Sequence, residues 1–305
     1  ADPSGGQRPR GARSVSHGST IFGGHTRLSV VRSLTHTRFM ASPEPSDELA
    51  LVTGPSSGIG EAFARRLASE GWSLIIVARR GDRLSALADE FRREYGTSTT
   101  CLVADLTRRA GLEAVHGAVG DRPIDLAVLN AGFGSTGPFA SADASREAEM
   151  VRLNTVAVTD LASGVLPGMV ERGRGDLIVV SSAAAFQPVP FMATYAATKA
   201  FELHFIRALS AELRGSGVRA SAVCPGPVRT EFGAAMGGGG LDPRIPHISA
   251  EEVVEAALRG LRRGRTMVTV GRVAGIASAG RTVPAAVRAA VIARVHRMLR
   301  NRPRG

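Results

Sequence analysis

The chain has 305 residues, of which 44% are hydrophobic and 21% are charged. This composition is typical of a folded globular protein and excludes a wholly disordered chain, a collagen-like repeat and a coiled coil. The two cysteines, Cys101 and Cys224, are too few for a disulfide framework. No unbroken apolar run reaches the ~18 residues that cross a bilayer. We therefore expect no transmembrane helix and, by default, a reducing, cytoplasmic location.

The net charge of +11 is concentrated at the two ends of the chain. Residues 1–46 sum to +4, and residues 257–305, with twelve arginines and no acidic residue, sum to +12. The middle of the chain, residues 47–256, is therefore mildly acidic, at −5. Nucleic-acid grooves combine cations with stacking aromatic residues, but aromatic residues make up only 5% of this chain. We expect no nucleic-acid partner.

The segment 1–46 is rich in Ser, Gly, Pro and Arg and has no sustained periodicity. We expect a disordered leader or an upstream extension there, with an organellar transit segment as the alternative. Residues 47–270 are expected to form the main domain and residues 271–305 a basic helical extension. Its valines recur at helical spacing, at Val283, Val287, Val291 and Val295. An oligomer contact or a solvated helix is favoured there over contact with an anionic membrane surface.

Strand-like and helix-like segments alternate through the main domain. Short β-branched runs predict strands at 48–53, 73–78, 98–104, 124–129, 176–182, 218–224 and 265–270. Helical spacing predicts helices at 59–70, 82–95, 145–172, 194–214 and 250–262. The last of these follows a capping-box pair, Ser249 and Glu252. This alternation predicts an α/β fold, a Rossmann-type doubly wound parallel sheet of about seven strands with helices on both faces, in a single domain.

A glycine-rich turn follows the first predicted strand and opens a helix. It reads Thr53-Gly54-Pro55-Ser56-Ser57-Gly58-Ile59-Gly60. Glycines let the backbone approach a pyrophosphate closely, and the helix N-terminus supplies N–H groups to hold it. The strand before the turn and the helix after it favour a dinucleotide site over an ordinary tight turn.

Ala78-Arg79-Arg80 follows the second predicted strand, where an acidic residue would accept the ribose 2′-hydroxyl of NAD. A guanidinium instead offers a charge-assisted grip on a 2′-phosphate, so Arg79 favours NADP(H) over NAD(H). The alternative, a solvated arginine at the helix start, fits Arg80 better than Arg79.

Polar and small residues also follow the third and fourth predicted strands. Asp105, with Leu106, is placed to accept a hydrogen bond from the adenine amino group. Asn130 is placed to tie neighbouring strands and Gly132 to leave room for the cofactor ribose, and Ala131 between them is a further cofactor-binding candidate. Taken singly, each residue fits a plain turn equally well, so their position after the strands carries the prediction.

Ser182, Tyr195 and Lys199 carry the strongest chemical signal. Tyr195 and Lys199 share one helix face, because they are four residues apart. An ammonium about 4 Å from a phenol, at an effective dielectric of about 20, is worth about 4 kcal/mol, enough to lower the phenol pKa by up to ~3 units before screening. This makes Tyr195 a predicted general acid. Lys199 is the only lysine among 38 basic residues, which argues against a solvated helix lysine.

Together these segments resemble the short-chain dehydrogenase/reductase family, in its compact single-domain branch. The resemblance spans roughly residues 47–270. It rests on TGPSSGIG at 53–60, DL at 105–106, NAG at 130–132, Asn154, Ser182, YAATK at 195–199 and PGPVRT at 225–230. It implies that 47–270 is an NADP(H)-binding catalytic domain. It also implies a homodimer or homotetramer built through the helices predicted at 145–172 and 194–214.

The same resemblance implies a catalytic tetrad. Tyr195 would give a proton to the carbonyl oxygen that Ser182 holds. Lys199 would contact the nicotinamide ribose and lower the pKa of Tyr195, and Asn154 would hold a water that links Lys199 to solvent. Further cofactor contacts are implied for Pro225, Gly226, Val228 and Thr230, with the backbone of Val228 on the carboxamide.

A dinucleotide turn, a tuned acid and an oxyanion donor suit hydride transfer from NADPH to a carbonyl. The expected substrate wall is nearly uncharged and comprises Phe133, Phe139, Ala184, Phe186, Gln187, Pro188, Phe191, Phe232 and Met236. It favours a small-molecule ketone or aldehyde of apolar character, unless several of these phenylalanines are core residues. Two alternatives remain: a non-catalytic NADP(H)-sensing protein, and the same site working as an alcohol dehydrogenase. We expect no metal.

Overall fold

The computed structural model of the protein describes residues 47–236, 247–280 and 284–300. The predicted leader at 1–46 and the glycine run at 237–240 lie outside the described residues. Within them, seven parallel strands form one sheet in the order β3-β2-β1-β4-β5-β6-β7. The strands are Leu49–Thr53 (β1), Ser73–Ala78 (β2), Thr99–Val103 (β3), Leu126–Leu129 (β4), Gly175–Val180 (β5), Val218–Pro225 (β6) and Met267–Val270 (β7). Each lies within two residues of its predicted bounds at either end, which confirms the doubly wound fold.

Helices connect the strands. They are Gly58–Ser69 (α1), Gly81–Tyr95 (α2), Arg109–Val119 (α3), Ala144–Val151 (α4), Ala157–Glu171 (α5), Ala193–Glu212 (α6), Phe232–Ala235 (α7), Ala250–Arg262 (α8), Arg272–Ala279 (α9) and Ala285–Arg300 (α10). Sequence reasoning missed α3. It also treated 145–172 as one regular helix, whereas a π-helical segment, Arg152–Val156, joins α4 to α5. The predicted capping box is present, because Ser249 and Glu252 exchange both hydrogen bonds at the start of α8.

The helices bury apolar stripes on both faces of the sheet. On one face α1, α2 and α8 contribute residues such as Phe63, Phe91 and Val253. On the other face α3, α5 and α6 contribute residues such as Val115, Leu161 and Ile206. Most strands are therefore buried on both sides, which explains their continuous apolar runs, whereas the edge strand β3 is only half-buried and exposes Val103. Strand order reverses between β1 and β4, and at such a switch point a ligand crevice opens beyond the carboxyl ends of the strands.

The helical stretch Ala144–Glu171 is 28 residues long and apolar enough, by length and composition, to cross a membrane. The sequence shows no unbroken apolar run here, because polar residues such as Thr159 and Asp160 interrupt it. The expectation of no helix long and apolar enough to cross a membrane was therefore wrong for this stretch. Val158, Leu161 and Met169 of this stretch are buried in the core beside the sheet. A core helix of a globular domain has the same apolar character.

The C-terminal region packs against the main domain. Ala274 and Ala277 of α9 belong to the core, and Arg288 of α10 donates a hydrogen bond to the backbone carbonyl of Phe186. Val287 and Val291 are exposed on α10, whereas Val283 lies outside the described residues. The domain boundary at residue 270 stays a prediction.

Two glycines of α3 provide a matched test of this packing. A β-carbon on Gly111 would overlap the backbone carbonyl of Asp105, whereas one on Gly117 meets nothing within 4 Å. We expect Gly111→Ala to lower the free energy of unfolding by about 1–3 kcal/mol, because the helix must shift. Gly117→Ala should raise it by about 0.5–1 kcal/mol. Urea unfolding measures both, and equal effects would contradict the packing of α3 against the β3 end.

Candidate functional site

A cavity of about 660 Å³ opens beyond the carboxyl ends of the strands. It begins at the glycine turn after β1, passes the segments that follow β2, β3 and β4, and reaches the start of α6. Two residues of α9, Val273 and Ala277, and one of α10, Ile292, complete its wall. The volume is that of an ordinary site for a small molecule or cofactor.

The glycine turn forms one end of the cavity. Gly54 and Gly58 adopt φ angles of +69° and +62°, in the left-handed region that favours glycine. A β-carbon on Gly60 would overlap the carbonyl of Gly54, so the turn closes tightly against the start of α1. Ser56, Ser57 and Ile59 also line the cavity. Backbone N–H groups at the start of a helix are a favourable place for phosphate oxygens.

Thr53 and Asn130 lock β1 to β4 at the switch point. The buried Thr53 hydroxyl accepts hydrogen bonds from the backbone N–H groups of Asn130 (2.9 Å) and Ala131 (3.0 Å). The Asn130 amide returns hydrogen bonds to the carbonyls of Thr53 (3.0 Å) and Gly54 (3.2 Å). Asn130 therefore ties neighbouring strands as expected. Thr53 and Gly60 lie behind the cavity wall and shape the turn from there.

Arg79 and Arg80 stand together at the cavity rim but differ in their contacts. Arg80 donates to the Ser56 carbonyl (2.6 Å) and pairs with Glu231 (3.0 Å). Among the described residues Arg79 has no hydrogen-bond or ion-pair partner, although it lines the cavity and its charge acts on Asp105. The exposed guanidinium of Arg79 is therefore available to an anionic ligand in this part of the molecule.

Asp105 lines the cavity with both carboxylate oxygens in contact with neighbours, and its Oδ2 lies 3.4 Å from Nε of Arg108. Its Oδ1 accepts hydrogen bonds from the backbone N–H (3.0 Å) and the hydroxyl (2.7 Å) of Thr107. Partial burial works against the charged form, but these hydrogen bonds hold the pKa of Asp105 below its ordinary value. The carboxylate is an acceptor at neutral pH, and Leu106 lies beside it in the wall.

The other end of the cavity brings Ser182, Tyr195 and Lys199 together. Tyr195 is 7% exposed and Lys199 is 4% exposed. The Lys199 Nζ lies 5.9 Å from the centre of the Tyr195 ring. It donates hydrogen bonds to the carbonyl of Val180 (3.0 Å) and to Oε1 of Glu202 (2.9 Å). Sequence reasoning missed Glu202, although its spacing of three residues from Lys199 on one helix was a usable signal.

The proton affinity of Tyr195 reflects opposing effects. Burial raises the pKa of its phenol above the ordinary value, while the Lys199 ammonium and a hydrogen bond with Ser182 act in the opposite direction. The Lys199 ammonium does act to lower the pKa of Tyr195, but the expected net lowering is wrong, because burial outweighs it. Tyr195 holds its proton at neutral pH, which is the form that a general acid needs.

Asn154 is completely buried within the π-helical segment. Its amide donates to the Phe133 carbonyl (3.0 Å) and to the Thr198 hydroxyl (3.0 Å), and its Oδ1 accepts from the Phe133 N–H (3.3 Å). These bonds hold the segment after β4 against α6. π-helical turns occur frequently at functional sites. The predicted water between Asn154 and Lys199 stays a prediction.

Most of the remaining predicted site residues line the same cavity. The cofactor candidates among them are Ala131, Gly132, Pro225, Gly226, Val228 and Thr230, and the substrate candidates are Phe133, Ala184, Gln187, Phe232 and Met236. A β-carbon on Gly132 would lie 3.0 Å from Oδ1 of Asn154 and 3.4 Å from Nζ of Lys199. The absence of a side chain at Gly132 therefore keeps space open beside the buried polar groups.

Three phenylalanines were placed wrongly in the substrate wall. Phe186 is buried in the core, because its short 3-10 turn directs it inwards. Phe191, at a φ of +67°, and the exposed Phe139 line a separate cavity of about 360 Å³. Pro188 is exposed and does not line the main cavity. The wall of the main cavity also includes residues that sequence reasoning missed, among them Val189, Met192, Val273 and Ile292.

The described residues contain no cluster of three or more His, Cys, Asp or Glu side chains that would hold a metal ion. Cys101 and Cys224 lie in β3 and β6 as free cysteines. Burial raises the pKa of the Cys224 thiol to about 12. It is therefore a neutral core residue.

The chain is similar to known dehydrogenases and reductases. A family model described as short chain dehydrogenase matches residues 48–237. The chain is 33% identical over 188 residues to the very-long-chain 3-oxoacyl-CoA reductase of Anas platyrhynchos, which covers 60% of each chain. It is 34% identical over 179 residues to the inactive hydroxysteroid dehydrogenase-like protein 1 of Rattus norvegicus, covering 58% of this chain and 54% of that protein. The chain spans about 60% of the length of several curated relatives that it matches, and 88% of an uncharacterized oxidoreductase of Myxococcus xanthus.

Two solved structures match over most of their length. A short-chain dehydrogenase from Sphingobium yanoikuyae in complex with NADPH is 34% identical, with a TM-score of 0.69, covering 85% of this chain and 97% of that one. The bulky-bulky ketone specific alcohol dehydrogenase from Comamonas testosteroni is 30% identical, with a TM-score of 0.66, covering 84% and 95%. The family match over residues 48–237 and the identity with solved relatives show that this chain belongs to the short-chain dehydrogenase/reductase family.

Proposed function

We propose that the protein is an NADP(H)-dependent oxidoreductase that reduces the carbonyl of an apolar ketone or aldehyde to an alcohol. One observation carries the proposal: a single cavity joins the glycine turn after β1 to the buried Tyr195 and Lys199 at the start of α6. The residues present fit a dinucleotide, because the tight turn and the side-chain-free Gly132 leave the space that it needs. When bound, the reduced nicotinamide would supply a hydride.

The chain's own residues would supply the proton and the electrostatic stabilisation. The Ser182 hydroxyl would hold the carbonyl oxygen, where negative charge develops during reduction. The Tyr195 phenol, protonated at neutral pH, would pass its proton to that oxygen. The Lys199 ammonium would stabilise the phenolate that remains, since the two groups are buried together.

Arg79 supports NADP(H) as the preferred cofactor. It lines the cavity next to the glycine turn, and it has no ion-pair partner among the described residues. A guanidinium there would accept the 2′-phosphate through charge-assisted hydrogen bonds. The complex of the Sphingobium yanoikuyae relative with NADPH agrees with this choice.

A large apolar substrate agrees with the wall of the cavity near Tyr195. Phe232 lies 5.7 Å from the Tyr195 ring, centre to centre, and Met192, Met236 and Ile292 extend the apolar surface. The Comamonas testosteroni relative is specific for bulky-bulky ketones, and the Anas platyrhynchos relative is a very-long-chain 3-oxoacyl-CoA reductase. We therefore propose a bulky ketone as the substrate class.

Two alternatives use the same cavity. The site can run in reverse as an alcohol dehydrogenase, because the same groups accept a proton as well as donate one. A non-catalytic NADP(H)-sensing protein is the second alternative, and the relative from Rattus norvegicus is named inactive. Ser182, Tyr195, Lys199 and Asn154 are all present here, and a sensor would need only the cofactor half of the cavity.

A homodimer or homotetramer is also proposed. Val156 of the π-helical segment and Phe201 of α6 expose apolar side chains, at 53% and 41% exposure. The family resemblance implies that subunits associate through these two parts of the chain.

Tyr195→Phe tests the catalytic role of the phenol. Turnover of bulky ketones should fall at least ~100-fold in kcat, because general acid catalysis is lost. NADPH binding, measured by fluorescence titration, should be unchanged. Cofactor binding without turnover in both the parent protein and the variant would favour the sensor.

Arg79→Ala tests the cofactor preference. A lost hydrogen bond to a charged group costs about 1.5–3 kcal/mol, so the Kd for NADPH should rise by about 10- to 100-fold. The Kd for NADH should change far less. Arg92→Ala, at an exposed arginine of α2, is the matched control and should affect neither. Equal weakening of both cofactors by Arg79→Ala would remove the 2′-phosphate assignment.

A further inference from the structure

A buried carboxylate lies behind the active-site lysine. Glu202 is 1% exposed, and its Oε1 is 2.9 Å from the Lys199 Nζ. Glu202 does not line the main cavity, whereas Lys199 does. The ammonium therefore lies between the cavity and the carboxylate, and the tetrad implied by the family resemblance leaves Glu202 without a role.

Burying the Lys199–Glu202 ion pair costs free energy, so its presence in the core suggests a role beyond stability. Two charges removed from water are stabilised only when their geometry and their hydrogen bonds compensate for the lost solvation. Oε2 of Glu202 has no hydrogen-bond partner among the described residues. The carboxylate is thus incompletely satisfied by the fold, and its contacts are with Lys199 and, more weakly, with the Ser181 hydroxyl.

The contacts of Lys199 define the direction of its ammonium. An ammonium has three N–H donors. One is directed to Glu202 and one to the carbonyl of Val180 at the end of β5, at 3.0 Å. The third remains for the cavity that Lys199 lines. Without Glu202 the ammonium would lose one of the two contacts that orient it.

The titratable groups facing Glu202 come from two elements. Tyr195 and Lys199 lie on its own helix, α6, and Cys224 faces it from β6. Ser181, which follows β5, is close by and donates to the Lys199 carbonyl. Among the described residues no charged side chain of α4 or the π-helical segment acts on the pKa of Glu202. The charge of this pocket is therefore set by Lys199 and Glu202.

Glu202 opposes the effect of burial on its partner. Burial alone would lower the pKa of Lys199, but the Glu202 carboxylate reverses this and holds it above the ordinary value. Burial raises the pKa of Glu202 itself to about 7, against the opposing attraction of Lys199. A lysine in the same apolar surroundings without the carboxylate would release its proton far more easily.

We propose that Glu202 is a positioning residue, whose carboxylate orients Lys199 beside Tyr195 and keeps its amine protonated. The proposal rests on the proposed function for its catalytic consequence, because Lys199 must be charged to stabilise the Tyr195 phenolate. The protonation state of the Lys199 amine, by contrast, can be measured whether or not the protein is a reductase.

The sequence makes that protonation state measurable. Lys199 is the only lysine in the chain, so protein labelled with ¹³C at the lysine Cε gives one side-chain signal. Its chemical shift follows the charge of the amine. In the wild-type protein we expect Lys199 to stay charged to a pH above about 10.4, the ordinary pKa of lysine. In Glu202→Gln, which keeps the shape but removes the charge, the midpoint should fall by at least about one pH unit.

Glu212→Gln is the matched control. It makes the same chemical change on the same helix, at an exposed position. Its lysine signal should titrate as in the wild type. If E202Q leaves the midpoint unchanged, or moves it no further than E212Q does, the proposal is overturned. If E202Q does not fold, the wild-type titration decides, because an amine already neutral at pH 8 would equally overturn it.

Activity gives a separate readout. The alkaline limb of the pH profile of kcat for ketone reduction should move to lower pH in E202Q and stay in place in E212Q. A variant that was merely less stable would lose activity without moving this limb. If the wild-type protein turns over no ketone, the proposed function fails, while the lysine titration still tests the role of Glu202.

Discussion

The burial of one ammonium group is the constraint on which the reaction end of the cavity depends. Lys199 is 4% exposed, and a charge in that position persists only with partners close by. The carbonyl of Val180 and the carboxylate of Glu202 provide them. Because Tyr195 is buried beside this lysine, the proton affinity of the phenol depends on the same few charges. The chemistry of the site is therefore controlled by a pocket that water scarcely reaches.

A second constraint operates at the cofactor end. β1 and β4 are joined by the Thr53 hydroxyl and the Asn130 amide, which together make four of the hydrogen bonds at the switch point. Gly54 and Gly60 then allow the turn to close against this junction. The glycine turn and the Asn-Ala-Gly segment after β4 therefore pack directly against each other, and the cavity begins between them.

The fold is shared with the solved relatives, whereas the cavity wall near Tyr195 draws on distant parts of this chain. The two relatives match this chain over 97% and 95% of their own lengths, at 34% and 30% identity. The wall of the cavity near Tyr195 is assembled from separate segments around Met192, Phe232 and Val273, together with Ile292 of α10. Contributions from such distant parts of the chain allow one fold to accept different substrates.

Much of the fold was predictable from the sequence, because burial on both faces leaves continuous β-branched runs that identify strands directly. The seven strands and the capping box of α8 were found in this way. Helix α3 was missed. The π-helical segment at 152–156 was not predicted either, because a local change to i→i+5 hydrogen bonds leaves no clear pattern in the sequence. Tyr195 and Lys199 were found because helical spacing alone places them on one face.

The substrate wall and the environment of the lysine were decided only by the tertiary structure. Phe186 and Phe191 follow the same strand as Ser182, yet a 3-10 turn and a positive φ direct both away from the main cavity. Val273 and Ile292 reach it from far along the chain. The sequence by itself determined the order of strands and helices and the spacing of the reactive groups, because these depend on local periodicity. Burial of Glu202 against Lys199, and its net effect on Tyr195, required the packing of α6 on the sheet, because solvation depends on everything that surrounds a group.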